Sequence, residues 1–380
     1  MNNLLVPIAG LASRFIQNGY TSPKPLIMVH DKMMIDWAMS SLELCNSNII
    51  FAVRKDHVRT HSIDEILKQK WPGAKIVVVD KITRGTLETC LLAEDYINNE
   101  NGLWIYTPDV YIPGSHSLTV DNELDGFIYT FKANNPAHSY ARLDDNKYVV
   151  EVAEKDVISD NAICGLYYFR HGNMFVKYAK EMIDEDITTN GEFYVAPIYN
   201  LMIRDNLRIK PHKVEDIHVL GTPEDTDYFV THVLPRFGDK PVAICCDHSG
   251  FELKERIKQH INHIDFGTYT QDLGSDHHDF LSQAIKHIKS GICDFGIGIC
   301  HTANGFVIAA NKYKGVRAAL VHDEYTAKYA IKHNAANFFC LPARSVTEDL
   351  FVVMTTIWKN IYHQGGRHKD RIMKMENVQS

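Results

Sequence analysis

No cysteine spacing in this chain suits a zinc site or a redox pair. Its 8 cysteines are scattered, none spaced as CxxC, and the adjacent Cys245 and Cys246 cannot easily bond each other. This pattern fits reduced thiols in a cytoplasmic protein. Also lacking is a run of about 20 apolar residues, the length of a membrane span. The first residues, MNNLLVPIAG, carry neither the basic region nor the apolar stretch of a secretory leader. We therefore expect a cytoplasmic protein with no membrane partner. Basic charge is in short supply: 40 Lys and Arg stand against 47 Asp and Glu, a net charge of -7. Without a basic run, no nucleic-acid partner is expected. Anionic substrates would have to be held by local clusters of Arg, Lys and His. Low-complexity segments and short-period repeats are missing too.

What is present is apolar patterning over 380 residues, 45% of them hydrophobic, enough for two domains with separate cores. LLVPIAG (4–10), IIFAV (49–53), AKIVVVD (74–80) and GLWIYT (102–107) read as buried parallel strands. SIDEILKQK and GTLETCLLAEDYI between them read as helices. A second β-rich stretch covers DGFIYTF (125–131), YVVEVAEK (148–155) and CGLYYFR (164–170). The segment 228–240 reads as a last helix running into a linker. A fresh α/β pattern follows, with strands PVAICC (241–246), DFGIGIC (294–300), VRAALVH (316–322) and FFCLPA (338–343) and a final helix at 350–362. The expected fold is α/β: two Rossmann-like three-layer α/β/α domains in tandem, at 1–236 and 241–380.

The first strand runs into Ala9-Gly10-Leu11-Ala12-Ser13-Arg14. Small residues there let backbone N–H groups approach a phosphate, and Arg14 can neutralise one. Pro23-Lys24-Pro25 then presents an ammonium on a backbone fixed by prolines. A small-residue turn alone is most often an ordinary strand–helix turn; together with the Pro-Lys-Pro it points to a nucleotide. The segment resembles the AGxGxR signature of sugar-phosphate nucleotidyltransferases, with Ala12 where that family usually has its second glycine. Further matches occur in order through residue 230. Arg84-Gly85-Thr86 resembles the base-recognition turn, and Tyr106-Thr107-Pro108-Asp109 the strand end carrying a Mg²⁺-binding Asp. Glu154-Lys155 and Gly165-Leu166-Tyr167 resemble sugar- and phosphate-contacting segments, and Gly221-Thr222-Pro223 the closing GTP motif. The resemblance implies attack of a sugar phosphate on the α-phosphorus of an NTP, with Arg14, Lys24 and Asp109 as catalytic residues and Mg²⁺ on Asp109. Ala9, Gly10, Leu11, Ala12, Gly85 and Thr86 would hold the nucleotide, and Glu154, Lys155 and Gly165 the sugar phosphate. Val219 departs from the pattern, standing where many members have a second acidic ligand, with Asp216 and Glu224 nearby.

In the second half, three regions are expected at strand carboxyl ends, which in a parallel sheet share one edge. They are Cys246–Phe251, Ile299–Gly305 and Lys332-His333-Asn334. Arg367 and Arg371 are four apart, so on a helix they form one phosphate clamp. CCDHSGFELK, the run Ala309–Leu320, His333–Asn337 and GGRHKDR resemble the ribose-5-phosphate isomerase B / galactose-6-phosphate isomerase family over 241–375. The resemblance implies a metal-free proton shift between C1 and C2 through an enediolate. Cys300 would be the base, Thr302 an assistant to proton movement between the oxygens, His333 the ring-opening acid/base, and Asp247 a further group at the reacting end. His248, Arg367 and Arg371 would bind phosphate, and the 301–305 amides the enediolate. An N–H-rich loop before a helix is expected to lower the Cys300 pKa. Where the family typically has CGTGIG, this chain has CHTANG; a positive φ at either replaced glycine would strain His301 or Ala303. Together with Asn304, Gly305 and Asn334, His301 is expected to contribute to sugar binding and altered specificity. The stretch Asp276-His277-His278-Asp279 is read as a solvated or substrate-rim loop.

The overall expectation is a bifunctional enzyme for nucleotide-sugar synthesis, a homodimer or higher assembly through its C-terminal half. The alternative is a nucleotidyltransferase with an inactive isomerase-like binding module.

Overall fold

The computed structural model describes residues 2–118, 124–234, 237–271 and 276–378. The chain forms two compact units, Met1–Thr226 and Asp227–Ser380. The division falls before the expected 237–240 because the apolar segment from Tyr228 belongs to the second core. The Tyr228 hydroxyl lies 3.1 Å from His363 Nδ1, and Phe237 packs 4.9 Å from Trp358. No helix among the described residues is long and apolar enough to cross a membrane.

The first unit begins β1 (Asn2–Pro7), α1 (Ser13–Gln17), β2 (Ser47–Arg54), β3 (Lys75–Val79), α2 (Thr86–Leu91) and β4 (Leu103–Tyr106). It continues with β5 (Gly126–Lys132), β6 (Ser139–Leu143), β7 (Val149–Glu154), β8 (Asn161–Phe169) and β9 (Ile209–Lys213). These strands make one nine-stranded sheet, ordered β7-β6-β8-β4-β1-β2-β3, with β5 joined to β8 and β9. The expected parallel core is there, as β4, β1, β2 and β3 run parallel. Strand β8 runs antiparallel to β4 and turns the sheet mixed. The apolar runs are unbroken because both faces are covered. Leu5, Ile50 and Ile105 enter one core, while Leu4, Val6, Phe51 and Trp104 enter the other. Strand β1 ends at Pro7, leaving Ile8 to Ala12 as a loop at the carboxyl edge.

The second unit contains β10 (Val242–Cys246), α3 (Phe251–Ile257), β11 (His263–Asp265), α4 (His277–Lys289), β12 (Gly296–Cys300) and α5 (Asn304–Ala310). Then come β13 (Ala318–Leu320), α6 (Glu324–Asn334), β14 (Phe338–Pro342), α7 (Glu348–Asn360) and α8 (Gly366–Asn377). Five parallel strands are ordered β11-β10-β12-β14-β13. Ile244, Ile297 and Leu341 face one core and Ala243, Cys245 and Cys340 the other, so this unit too has three layers. One expectation is corrected here: residues 277–279 are not loop. Asp276 caps α4, accepting from the His278 N–H at 2.9 Å, and the helix begins at His277.

Candidate active sites

In the first unit, parallel strands bring the expected nucleotide residues to one edge. Gly10 faces open space, so a ligand can approach its backbone. Ala12 has φ 53° and ψ 35°, the left-handed region. That is why glycine suits this position; an L-residue there costs about 1–2 kcal/mol. Arg14 is exposed on α1. Lys24 begins a 3₁₀ turn after Pro23. Its Nζ lies 3.4 Å from Asp109 Oδ2 and 5.7 Å from the Phe15 ring centroid. A cation from one loop thus meets the carboxylate at the end of β4. Gly165, at φ 83°, closes the same corner: Thr107 N–H donates to its carbonyl at 2.9 Å, and a Cβ would strike Thr107 Oγ1. Glu154 accepts from the Ser139 hydroxyl, and burial raises its pKa. Lys155 pairs with the Tyr194 hydroxyl, a bond that raises the lysine's pKa.

Gly85 and Thr86 open α2 and are half-buried, with Gly85 closely packed on the side a Cβ would take. A Cβ there would lie 2.3 Å from the Phe193 carbonyl oxygen. Its neighbour Arg84 pairs with Glu88 and lies over the Phe193 ring. Val219 pairs with Val110 in a two-residue ladder beside the core. The carboxylate placed near Asp109 across Gly221 belongs to Asp225. Their Oδ2 atoms lie 3.7 Å (Asp225) and 3.8 Å (Asp109) from the point a Gly221 Cβ would occupy. Asp225 Oδ2 also accepts from the Thr222 N–H and hydroxyl at 3.1 and 2.9 Å. Sequence reasoning missed Asp225, although its place in Gly-Thr-Pro-Glu-Asp could have signalled it.

Also missed was a cavity of about 280 Å³ at the carboxyl ends of β1, β2 and β3, lined by Ala9, Arg54, Lys55, Arg59, Lys81 and the carboxylates Asp56 and Asp80. Arg54 pairs with Asp56 at 2.5 Å and Lys55 with Asp80 at 2.7 Å. Arg59 and Lys81 are therefore the positive excess of the cavity. The Arg54 bond holds the Asp56 carboxyl down at about 2.

In the second unit, β10 and β12 deliver two of the three expected regions to the carboxyl edge. Asp247 N–H donates to Ile299 O at 3.2 Å, and its carboxylate accepts from Ser249 N at 2.9 Å and Gly250 N at 3.1 Å. Asp247 is thus a turn cap as well as a charge near Cys300. His248 Nδ1 is buried with no hydrogen-bond partner among the described residues. Cys300 ends β12, 8% exposed, with the backbone N–H groups of Ala303, Thr302 and Phe306 in its electrostatic surroundings. Those N–H groups act to lower its pKa, but the net shift is not the expected lowering. Burial and the Asp247 carboxylate push the thiol above its ordinary value. Of the two residues replacing glycines, only Ala303 takes a left-handed backbone, at φ 61°. His301, Thr302 and Asn304 are exposed, and Gly305 is half-buried.

The third region is not at this edge. A helix following a parallel strand runs back, so α6 carries His333 and Asn334 to the amino edge. There Gly296 N–H donates to Asn337 O at 2.9 Å. His333 stacks on His368 with ring centroids 4.0 Å apart and an interplanar angle of 9°. Arg367 and Arg371 are exposed on α8, four residues apart as expected. Burial lowers the His333 pKa, with help from Lys332, Arg367 and Arg371; burial and His333 hold His368 at about 4. Asn334 is exposed and donates to Tyr329 O at 3.2 Å. Within one chain, the length of β12, about 13 Å at 3.3 Å per residue, stands between Cys300 and this cluster.

A family model described as Ribose/Galactose Isomerase matches residues 242–375. Ribose-5-phosphate isomerase B of Escherichia coli K12 is 35% identical over 138 residues, covering 35% of this chain and 92% of that protein. The chain belongs to the ribose/galactose isomerase family through its second unit. Another family member, ribose-5-P isomerase B of Listeria innocua, is 33% identical over 142 residues, covering 36% of this chain and 95% of that protein. Among solved structures, a nucleoside-diphosphate-sugar pyrophosphorylase from Vibrio cholerae RC9 is 25% identical with a TM-score of 0.54, covering 60% of this chain and 99% of that one. Its coverage fits the part of the chain outside the isomerase-family match.

Proposed function

We propose that the chain is a bifunctional enzyme: a sugar-phosphate nucleotidyltransferase joined to an aldose–ketose phosphate isomerase. The transferase reading rests on the Lys24–Asp109 pair beside the open Gly10 loop. A phosphate oxygen of the sugar attacks the α-phosphorus of an NTP, and pyrophosphate leaves. Lys24 and Arg14 neutralise the charge that accumulates on the phosphates. Asp109 offers hard oxygen, with Asp225 across Gly221, and these fit Mg²⁺, which takes one or two carboxylates plus substrate phosphates. When bound, the ion would supply Lewis-acid neutralisation of phosphate charge. The cavity with Arg59 and Lys81 extends the nucleotide loop with further positive charge.

The isomerase reading rests on Cys300, with N–H groups gathered around it at the end of β12. Its sulfur takes the proton from C2 of an open-chain aldose phosphate, the loop amides hold the enediolate oxygens, and the proton returns to C1. Thr302 moves a proton between those oxygens, and the buried Nδ1 of His248 awaits a ligand atom. His333, Arg367 and Arg371 lie at the other edge, so a complete site takes the Cys300 set from one copy and this cluster from a second. That requires a homodimer at least. The raised Cys300 thiol and the strained Ala303 favour one alternative, an isomerase-like module that binds a sugar phosphate without turning it over.

The test is a screen of NTPs against pentose and hexose phosphates, following pyrophosphate release and aldose–ketose conversion in parallel. Asp109→Ala and Lys24→Ala should abolish pyrophosphate release and spare isomerisation, and Cys300→Ser should do the reverse. Near-full transferase activity in Asp109→Ala removes it as the metal ligand, and isomerisation by Cys300→Ser removes the thiol as base.

A further inference from the structure

Two aromatic rings that the proposed chemistry does not use lie against α8, the helix that carries Arg367 and Arg371. Tyr228 and His232 belong to the helical opening of the second unit. Both precede residue 242, where the family match begins. Their rings stack with centroids 4.5 Å apart and an interplanar angle of 10°. Both are enclosed: Tyr228 is 6% exposed and the His232 side chain 11%.

The pair engages α8 along its length. At the helix start, Gly365 N–H donates to His363 Nδ1 at 3.1 Å. That nitrogen is therefore an acceptor, and the Tyr228 hydroxyl, also 3.1 Å away, donates to it. One turn on, Lys369 Nζ lies 4.9 Å from the Tyr228 ring centroid, a cation–π contact. Near the helix end, His232 Nε2 lies 4.0 Å from Glu376 Oε1, which accepts from Arg317 Nη1 at 2.7 Å. Burial holds the His232 pKa down at about 4, so at neutral pH an uncharged ring packs beside that ion pair. Lys369 and Glu376 are seven apart and share one face of α8. Arg367 and Arg371 stand about half a turn around the helix from them, and both are exposed. His368 and Ile372, between the two faces, are buried.

One face of α8 is thus held and the opposite face is left to a ligand. A guanidinium binds phosphate through paired N–H donors in a fixed plane, so its grip depends on angle. Rotation of α8 about its axis would swing both guanidinium groups away together. We propose that Tyr228 and His232 are positioning residues for α8: by holding Lys369 and Glu376 they fix the helix rotation that aims Arg367 and Arg371 at the phosphate of a sugar phosphate. This rests on the isomerase reading only for the identity of the ligand. It gives a segment outside the family match a part in substrate binding without any contact to the substrate.

The experiment uses the full-length chain. Ribose 5-phosphate and inorganic phosphate are titrated calorimetrically, and KM and kcat are measured where turnover occurs. The variants are Tyr228→Leu, Tyr228→Phe, His232→Leu, Arg371→Ala and the double variant Tyr228→Leu with Arg371→Ala. Ile285→Val, buried elsewhere in the unit, sets the effect of lost stability alone. Tyr228→Leu and His232→Leu should each weaken both ligands about 10-fold, with KM rising in step and kcat altered less than about 3-fold. Tyr228→Phe keeps the ring for His232 and Lys369, so it should recover most of the loss. On the Arg371→Ala background the Tyr228→Leu loss should shrink to less than about 3-fold, because one of the cations it aims is gone. Where Tyr228→Leu does not fold, His232→Leu takes its place in the cycle. Unchanged Kd in the Leu variants, an equal loss in Ile285→Val, or a fully additive loss with Arg371→Ala overturns the inference; turnover in the same samples leaves the isomerase reading standing. The expected coupling without any turnover keeps the inference and overturns the isomerase reading. A wild type that binds neither ligand overturns both.

Discussion

If the isomerase site is shared, two dead chains can make one live site. Cys300 lies at the carboxyl end of β12 and His333 at the amino end of β14, on parallel neighbours paired Gly296 with Phe338 through Cys300 with Pro342. The strand alone separates them by about 13 Å, against the roughly 3 Å over which an acid–base group acts. Consider Cys300→Ser in one chain and His333→Ala in the other. A symmetric dimer has two sites, each pairing the Cys of one copy with the His of its partner. A heterodimer of the two variants therefore contains one intact site and one doubly broken site. Co-expression under two different tags, followed by tandem purification, should give a species with about half the wild-type isomerase rate per dimer. Random mixing should give about one quarter, because half the dimers are mixed. Both parent homodimers should be inactive, and all species should release pyrophosphate equally. The readout is aldose–ketose conversion at saturating substrate. A purified heterodimer as inactive as its parents would refute the shared site, because that is the outcome when each chain carries its own complete set.

Three further outcomes are expected. The Cys300 thiol is pushed up by burial and by Asp247, and in the proposed isomerase its thiolate would be the active form. The isomerase rate should therefore rise with pH, with an inflection above the roughly 8.5 of an ordinary thiol; a flat profile from pH 6 to 9 would exclude a thiolate base. Ala12 and Ala303 share a left-handed backbone, but Ala12 is half-buried and Ala303 is fully buried. Glycine relieves about 1–2 kcal/mol of strain and loses about 0.4–1 to unfolded-chain entropy, so Ala12→Gly should stabilise by about 0.5–1 kcal/mol. Ala303→Gly also loses a buried methyl, about 0.8 kcal/mol, and should come out near neutral in the same urea titration. Gly85→Ala should cost about 2–4 kcal/mol by strain and overpacking, since its Cβ would sit 2.3 Å from the Phe193 carbonyl oxygen; wild-type stability there would contradict the packing described.

The layers were legible because both faces of each sheet are buried, so strands such as Leu4-Leu5-Val6 and Ile297–Cys300 appear as unbroken apolar runs. The first site was legible in order, because the chain delivers Gly10, Lys24, Asp109 and Gly165 to one edge and their local backgrounds differ from ordinary loops. Three features were not. The Arg54–Arg59 and Lys81 cations meet Ala9 only through the order β1-β2-β3, which no local pattern encodes. The placement of His333 was misread, although chain direction contains the answer: a residue just before a parallel strand lies at that strand's amino edge. The direction of the Cys300 shift was misread because loop N–H groups are visible in sequence and burial is not. With the sulfur enclosed between β12 and α5, desolvation outweighs three N–H contacts.

Val219 bears on how much the first site can do. An acid at that position would lie in the Val110–Val219 ladder, directly behind the turn that carries Asp109. The chain instead places an apolar pair there and packs Val219 against the core. This anchors the turn: Leu220 N–H donates to Asp109 O at 2.7 Å, tying the closing Gly-Thr-Pro segment to the end of β4. The same tie brings Asp225 to the other side of Gly221, but its Oδ2 is already engaged by Thr222. Asp225 can therefore add negative potential near Asp109 at little rearrangement, whereas direct ligation would cost it the capping bonds. A divalent ion that keeps most of its waters and takes the rest of its oxygen from phosphates needs only one firm protein carboxylate. In the proposed transferase Asp109 would be that group, and Lys24, 3.4 Å away, would hold the carboxylate in place until the phosphates of a nucleotide compete for the ammonium.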